Sequence, residues 1–252
     1  MSRFSSPMPQ RAASDCPGPA RGAPVDCTTC RIRHLSVCAA LGDEEVSALE
    51  AVVSSLHLQP NSTLVREGDP RRQVYSVTAG ALRLVRLLPD GRRQVAGFLL
   101  PGDFLGLSTA ETHRHDVEAV TETMLCRFRA EDMQALRERF PDLERKLLSR
   151  AMTELDAARE TALGLARLNP IERLAAFLLD LSEKRARWGR TEQLMVLPMG
   201  RADIADHLGL TVETVSRSFT RLRHDGVIAL HDIHGVELLD RKRLVDLAAG
   251  RG

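Results

Sequence analysis

The stretch Leu208-Gly-Leu-Thr-Val-Glu-Thr-Val-Ser-Arg-Ser-Phe-Thr-Arg-Leu222 constrains this chain more than any other. It reads as the turn and second helix of a helix-turn-helix. Gly209 supplies the turn, where positive φ is tolerated, and Thr211 is a natural N-cap for the helix that follows. Val212, Val215, Phe219 and Leu222 recur at helical spacing and form an apolar face. Glu213, Ser216 and Arg217 fall at i, i+3, i+4 and share a different, outward face. Those three side chains suit base edges in the major groove: Arg pairs with guanine, Glu accepts from cytosine N4, and Ser pairs either way. A capped surface helix with one Glu–Arg pair explains less, because the preceding Arg201-Ala-Asp-Ile-Ala-Asp-His-Leu208 also fits the motif, with Ile204, Ala205 and Leu208 inward.

Composition adds limits rather than a function. A chain of 252 residues has room for two domains. The formal net charge is +1, and the segment after Asn169 holds 13 Lys/Arg against 12 Asp/Glu, so a nucleic-acid partner rests on the motif and not on bulk charge. Aromatic residues are 4% of the chain, which argues against a single-strand binder that stacks bases. No apolar run is long enough to span a bilayer, so no membrane partner is expected. Residues 1–26 hold Pro7, Pro9, Pro17, Pro19, Pro24, Gly18 and Gly22 without an apolar core, and read as a disordered tail rather than a secretory signal. A cytoplasmic, reducing setting follows, in which clustered cysteines serve metals more often than disulfides.

The rest of the chain divides by its periodicity. Asp43 to Val53 reads as a short helix capped by Asp43, with Val46, Leu49 and Val53 inward. From His57 to Phe128 short strands alternate with turns, and Gly68, Gly80, Gly91 and Gly102 recur every 11 or 12 residues. That spacing suits a small antiparallel barrel or roll, with Val74, Val77, Leu82, Leu84, Val95, Phe98 and Leu100 as its core. A helical region starts at Ala130, is interrupted at Pro141 and runs on to about Leu168. Within it Leu148, Ala151, Leu155, Ala158, Ala162 and Leu165 repeat at 3–4 spacing, an a/d seam expected to form a marginal dimer interface. Asn169-Pro170 caps and opens the next helix. Met195 to Pro198 reads as a strand, Val227–Leu230 and Val236–Leu239 as a wing, and Arg241–Ala249 as a last helix.

Cys27, Cys30 and Cys38 place three thiols within 12 residues. A C-x2-C step lets two sulfurs reach one metal from a tight turn. Tetrahedral zinc and a cubane iron–sulfur cluster both need four ligands. The remaining cysteines are Cys16, in the Pro/Gly tail, and Cys126, whose apolar neighbours equally suit a buried strand residue. Spacing alone leaves zinc and iron–sulfur open. His113 and His115 read as part of a polar loop. No Rossmann fingerprint, P-loop, zincin motif or nucleophile elbow is present, so no enzyme is expected.

Leu208 to Arg217, with its Glu-x-x-Ser-Arg spelling, resembles the DNA-binding helix of the CRP/FNR superfamily, in its FNR branch. The C-x2-C-x7-C spacing is similar to the FnrL/FnrN group, and so is the run Glu154 to Glu160 in the dimerisation helix. The resemblance implies an oxygen-labile [4Fe–4S] cluster on Cys27, Cys30, Cys38 and Cys126, with Cys16 spare. It implies a cyclic-nucleotide-binding-like β-roll. CRP-like members carry a phosphate-binding Gly-Glu and an Arg-Ser pair after a Gly-Asp-Phe turn; here Gly102-Asp-Phe is followed by Leu107 and later by Arg114-His115, which puts a cAMP site in doubt. Glu213, Ser216 and Arg217 are the implied base-reading residues, Arg201 and Thr211 the phosphate contacts, and a palindromic TTGAT-like operator, a homodimer and RNA polymerase the partners.

The expected fold class is α+β. A tail covers residues 1–26, a cluster-binding segment 27–45, the β-roll sensory domain 46–128, the dimerisation helix region 129–168 and a winged helix-turn-helix domain 169–252. The expected function is an oxygen-responsive transcription regulator in which loss of the cluster weakens the dimer. The alternative is a CRP-like regulator sensing a small ligand in the β-roll, with a structural zinc at the cysteines.

Overall fold

The computed structural model describes residues 26–108, 110–187 and 194–251. Cys16 and the tail expected over residues 1–26, apart from Asp26, lie outside the described residues. Two short 3-10 turns, Arg33–Leu35 and Val37–Ala40, lead into helix α1, Asp43–Glu50. Gly42, not Asp43, is the cap of α1: the Glu45 carboxylate accepts the Gly42 N–H at 2.8 Å. Asp43 instead pairs with Arg33 at 2.8 Å, which ties the helix start to the cysteine segment.

Eight strands follow: β1 Ser54–Leu58, β2 Thr63–Val65, β3 Gln73–Ala79, β4 Leu82–Leu87, β5 Arg93–Leu99, β6 Phe104–Leu105, β7 Asp116–Ala119 and β8 Thr123–Arg129. They form two antiparallel four-stranded sheets, β1-β8-β3-β6 and β2-β7-β4-β5. Val65, Tyr75, Val77, Leu82, Leu99, Val117, Ala119 and Leu125 come from both sheets and pack as one core. The spaced glycines do sit at positive φ. At Gly80 the need is steric as well: a Cβ there would lie 2.3 Å from the Glu122 carbonyl oxygen.

Alternation along β8 decides what its outer face meets. Leu125 joins the core between the sheets, whereas Cys126 and Phe128 point the other way. That outer face is covered by α2, Ala130–Arg139, by the start of α3, Pro141–Arg167, and by the segment from Cys27 to Leu41. Pro141 opens α3, where its missing N–H costs nothing. Leu143 and Leu147 are buried against the roll, and beyond them most of α3 is exposed.

The C-terminal domain comprises α4 Pro170–Arg187, β9 Leu194–Val196, α5 Arg201–Leu208, α6 Val212–His224, β10 Ile228–Leu230, β11 Gly235–Leu238 and α7 Arg241–Ala248. Asn169 Oδ1 accepts the N–H groups of Ile171 and Glu172, so it caps α4 as expected. The sheet order β10-β11-β9 makes the wing. Phe98 and Leu100, expected in the core of the roll, pack instead with the C-terminal domain, together with Ala81 and Val120. β5 is an edge strand, and its outer face is covered by α5. Leu84 is only half-buried. Among the described residues no helix is long and apolar enough to cross a membrane.

Candidate DNA interface and cysteine site

Helices α5 and α6 meet at Gly209, whose φ of 64° gives the left-handed turn. Thr211 caps α6, its Oγ1 accepting the Thr214 N–H at 3.2 Å. Val215, Phe219 and Leu222 are buried against α4 and α5. Val212 is not: as the first residue of α6 it is exposed, so the apolar face begins one turn later than its periodicity suggested. Ser218 is buried, and donates its hydroxyl to the Thr214 carbonyl.

Glu213, Ser216 and Arg217 are exposed together on the opposite face. The Glu213 backbone N–H and the Thr211 hydroxyl hold the Glu213 carboxyl below its ordinary range, so it stands as an acceptor only. Arg201 has a different setting. Its guanidinium carbon lies 3.2 Å from the centroid of the Phe219 ring, and Nη1 is buried without a hydrogen-bond partner among the described residues. Burial pulls its pKa down to about 10. Nη1 can gain a partner only if the side chain shifts in that stack, and leaving a buried donor unpaired carries a cost that such a shift would relieve.

The thiols of Cys27, Cys38 and Cys126 share one apolar cluster with Val37, Leu41, Phe104 and Phe128. Cys30 lies near enough for its charge to act on Cys27 and Cys38. Burial first, and then the neighbouring Cys38, Glu50, Cys30 and Asp26 charges, push the Cys27 thiol up to about 12. Burial also raises Cys38. These thiols therefore stay protonated unless a cation-rich centre offsets their mutual repulsion. Among the described residues no three His, Cys, Asp or Glu side chains stand in positions to hold a metal ion. The fold brings the four cysteines into one neighbourhood without placing them in a ligating geometry. Arg33, which lies between them in sequence, is spent on Asp43 and the Leu41 carbonyl.

The cysteine segment is also fastened to the long helix. Arg150 of α3 donates to the Leu35 carbonyl. Gly102 admits the same residue: a Cβ there would lie 2.9 Å from Leu35 Cβ. Along α3, Leu148, Leu155, Ala158 and Ala162 are exposed, while Ala151 and Leu165 are half-buried. Met152 and Leu163, outside the expected seam, are exposed as well. The apolar stripe is thus rotated toward them.

A half-open cavity of about 320 Å³ lies beside the roll, lined by Arg71, Phe104, Leu107, Met133, Leu147 and Ala151. Arg71 spends its Nη groups on the carbonyls of Gly106 (2.6 Å), Ala110 (2.7 Å) and Ser108. It closes the loop on itself and leaves those groups unavailable to an anion. His113 is buried, and its backbone N–H donates to the Asp69 carbonyl at 2.9 Å.

A winged helix-turn-helix joined to a β-roll through a long helix defines a two-domain transcription regulator. Residues 55–140 match the cyclic nucleotide-binding domain family, and residues 172–247 match the Crp-like helix-turn-helix domain family. The chain belongs to the CRP/FNR family, in its FNR-type branch. It is 40% identical over 224 residues to the nitrogen fixation regulation protein FixK of Bradyrhizobium diazoefficiens, which covers 88% of this chain and 94% of that relative. It is 38% identical over 226 residues to the transcriptional activator protein FnrL of Cereibacter sphaeroides, covering 88% and 91%. The solved structure of FixK2 from Bradyrhizobium japonicum is similar with a TM-score of 0.73 and 34% identity, over 78% of this chain and 97% of that one. These relatives are transcription regulators and not enzymes.

Proposed function

We propose that this regulator responds to oxygen through a [4Fe–4S] cluster held by Cys27, Cys30, Cys38 and Cys126. One observation carries the reading: the outer face of β8 presents Cys126 to the same apolar cluster that holds Cys27 and Cys38. Bound there, such a cluster supplies an oxygen-labile cross-link with a net charge of about −2 on its four-thiolate form. The protein's own residues do the rest. Cys27, Cys30 and Cys38 anchor the N-terminal segment to β8, and Leu35 and Arg150 pass that anchorage to α3. With the segment anchored, α3 is braced along its first turns and the apolar stripe beyond is presented to a second copy. With the thiols free, the brace weakens and so does the dimer.

In the dimer the two α6 helices stand about one DNA turn apart, roughly 34 Å, and read a palindromic, TTGAT-like operator. Arg217 and Glu213 read the G·C pair, Ser216 sits near a thymine, and Arg201 and Thr211 meet phosphates. RNA polymerase is the further partner. The deciding experiment is anaerobic purification with a visible spectrum and iron and sulfide analysis. Brown protein with about four irons and four sulfides per chain supports the reading. Colourless protein with stoichiometric zinc overturns it in favour of a structural metal.

A further inference from the structure

Asp203 in the first turn of α5 is a carboxylate with its side chain 11% exposed, on the very helix that sets the recognition helix. A buried charge is tolerated only when it is paired and hydrogen-bonded. Both partners come from the β-roll. Arg83 of β4 reaches Asp203 at 3.1 Å, and Arg93 of β5 reaches it at 2.8 Å. Arg93 also holds Asp206, one helical turn on, at 2.6 Å. Glu118 of β7 fixes Arg83 from behind at 2.7 Å, and Asn61 accepts from it at 3.3 Å. The apolar half of the contact is an aromatic cluster. The rings of Phe98, Phe177 and His207 lie 5.4 to 6.2 Å apart, centroid to centroid, and His207 Nδ1–H donates to the Val95 carbonyl at 3.1 Å.

The faces of α5 are therefore divided. Ile204, Ala205 and Leu208 enter the core of the C-terminal domain, whereas Asp203, Asp206 and His207 face the roll. The base-reading face of α6 is left free. The covalent link between the domains is the α3–α4 junction, where Leu168 is extended. Arg173 of α4 pins this junction locally, donating to the Leu165 and Leu168 carbonyls at 2.8 Å each, but it holds the domain only next to the pivot. The ion pairs at α5 act at a distance from that hinge, and the shared packing of Ile204, Leu208, Val215 and Phe219 carries the orientation of α5 to α6.

We propose that Arg83 and Arg93 are positioning residues for DNA readout: by clamping Asp203 and Asp206 they fix the pitch of the helix-turn-helix on the roll, and so the separation of the two recognition helices in the dimer. This rests on the dimeric operator binding proposed above. The clamp also offsets two carboxylates on a helix that approaches the phosphate backbone.

The test uses the full-length anaerobic protein in binding titrations. Operators carry the natural half-site spacing, or that spacing changed by one base pair either way. Wild-type protein prefers one spacing sharply. Arg93→Ala should lose about tenfold at that spacing, within the usual range of a coupling between sites, and lose little on the others, so that discrimination flattens. Arg93→Lys, which keeps the charge that faces Asp203 and Asp206, should retain most of it. A variant that merely folds less well would weaken all spacings alike. Equal losses on every spacing, or retained discrimination in Arg93→Ala, overturn the proposal. If wild-type protein shows no spacing preference, the dimeric-operator reading is what fails. The clamp itself is then judged by hydrogen exchange without DNA: Arg93→Ala should lower amide protection in α5, and unchanged protection there overturns it.

Discussion

Leu155→Glu tests how the two copies meet. In the single chain Leu148, Met152, Leu155 and Leu163 are 54%, 53%, 45% and 59% exposed on one side of α3. A fully buried side chain of this size contributes about 1.5–3 kcal/mol, so covering what remains of Leu155 contributes about 1 kcal/mol per copy. The whole stripe, counted on both copies, gives roughly 6–13 kcal/mol, against about 4–15 kcal/mol lost on association. A dimer closed by this stripe therefore sits near balance and is sensitive to single changes. Glu at 155 removes the apolar gain twice. It also sets two like charges across the two-fold, costing about 2–3 kcal/mol at an effective dielectric of roughly 20. The sum is about 3–6 kcal/mol, or roughly 10²–10⁴-fold in the dimer dissociation constant. Sedimentation equilibrium under anaerobic conditions measures this directly. Because residue 155 is exposed, circular dichroism and the melting temperature of the single chain should barely change. An unchanged dimer would refute the reasoning and move the interface off this stripe.

Ser in place of Cys27, Cys30, Cys38 or Cys126 should each abolish the anaerobic visible absorption, whereas Cys16→Ser should leave it intact; the spectrum and iron content check both. Arg217→Ala should cost about 1–3 kcal/mol per half-site on operators that keep the guanine, whereas Arg201→Ala should weaken all sequences alike and shrink the salt slope by about one per half-site, as titrations at two salt concentrations will show. His207 gives a pH prediction. Its pKa is lowered from the ordinary 6.5 chiefly by burial, with Lys184 acting in the same direction and the Val95 carbonyl and Asp180 opposing. The folded pKa is depressed, so the unfolded chain binds more protons in acid: the contribution is present above about 6.5 and is lost as pH falls through the folded value. Urea unfolding at pH 7.5 and 5.5 should show wild-type protein losing more stability on acidification than His207→Phe; equal losses would mean that His207 is not held neutral in the fold.

Much of the site was legible because its interactions are local. Thr211 caps the helix three residues ahead of it, Gly209 makes its own turn, and Asn169 caps α4 from two and three residues away. Glu213, Ser216 and Arg217 share a face through helix geometry alone. Gly80 and Gly102 marked turns whatever the turns pack against. Where the prediction slipped, a neighbour from elsewhere in the chain had intervened. Phe98 and Leu100 alternate like core residues of a roll, and they are covered, but by the other domain. On α3, Met152 and Leu163 stand exposed beside Leu148 and Leu155, because Leu143 and Leu147 fix which side of the helix meets the roll.

The cysteines show the boundary most clearly. The spacing of Cys27, Cys30 and Cys38 is a property of the sequence, and so is the alternation that turns Cys126 away from Leu125. That these two features face each other depends on α2, α3 and the N-terminal segment closing over the same sheet. The clamp lies wholly on the far side of that boundary. Arg83 and Asp203 stand 120 positions apart and Arg93 and Asp206 113 apart, and no periodicity links them. By itself the sequence determined the helices, the turns and the exposed face that carries Glu213, Ser216 and Arg217, because backbone geometry and short-range capping act within a few residues. Only the tertiary structure decided how the reading head is held, because burying a carboxylate demands partners, and those partners are found wherever the fold brings opposite charge.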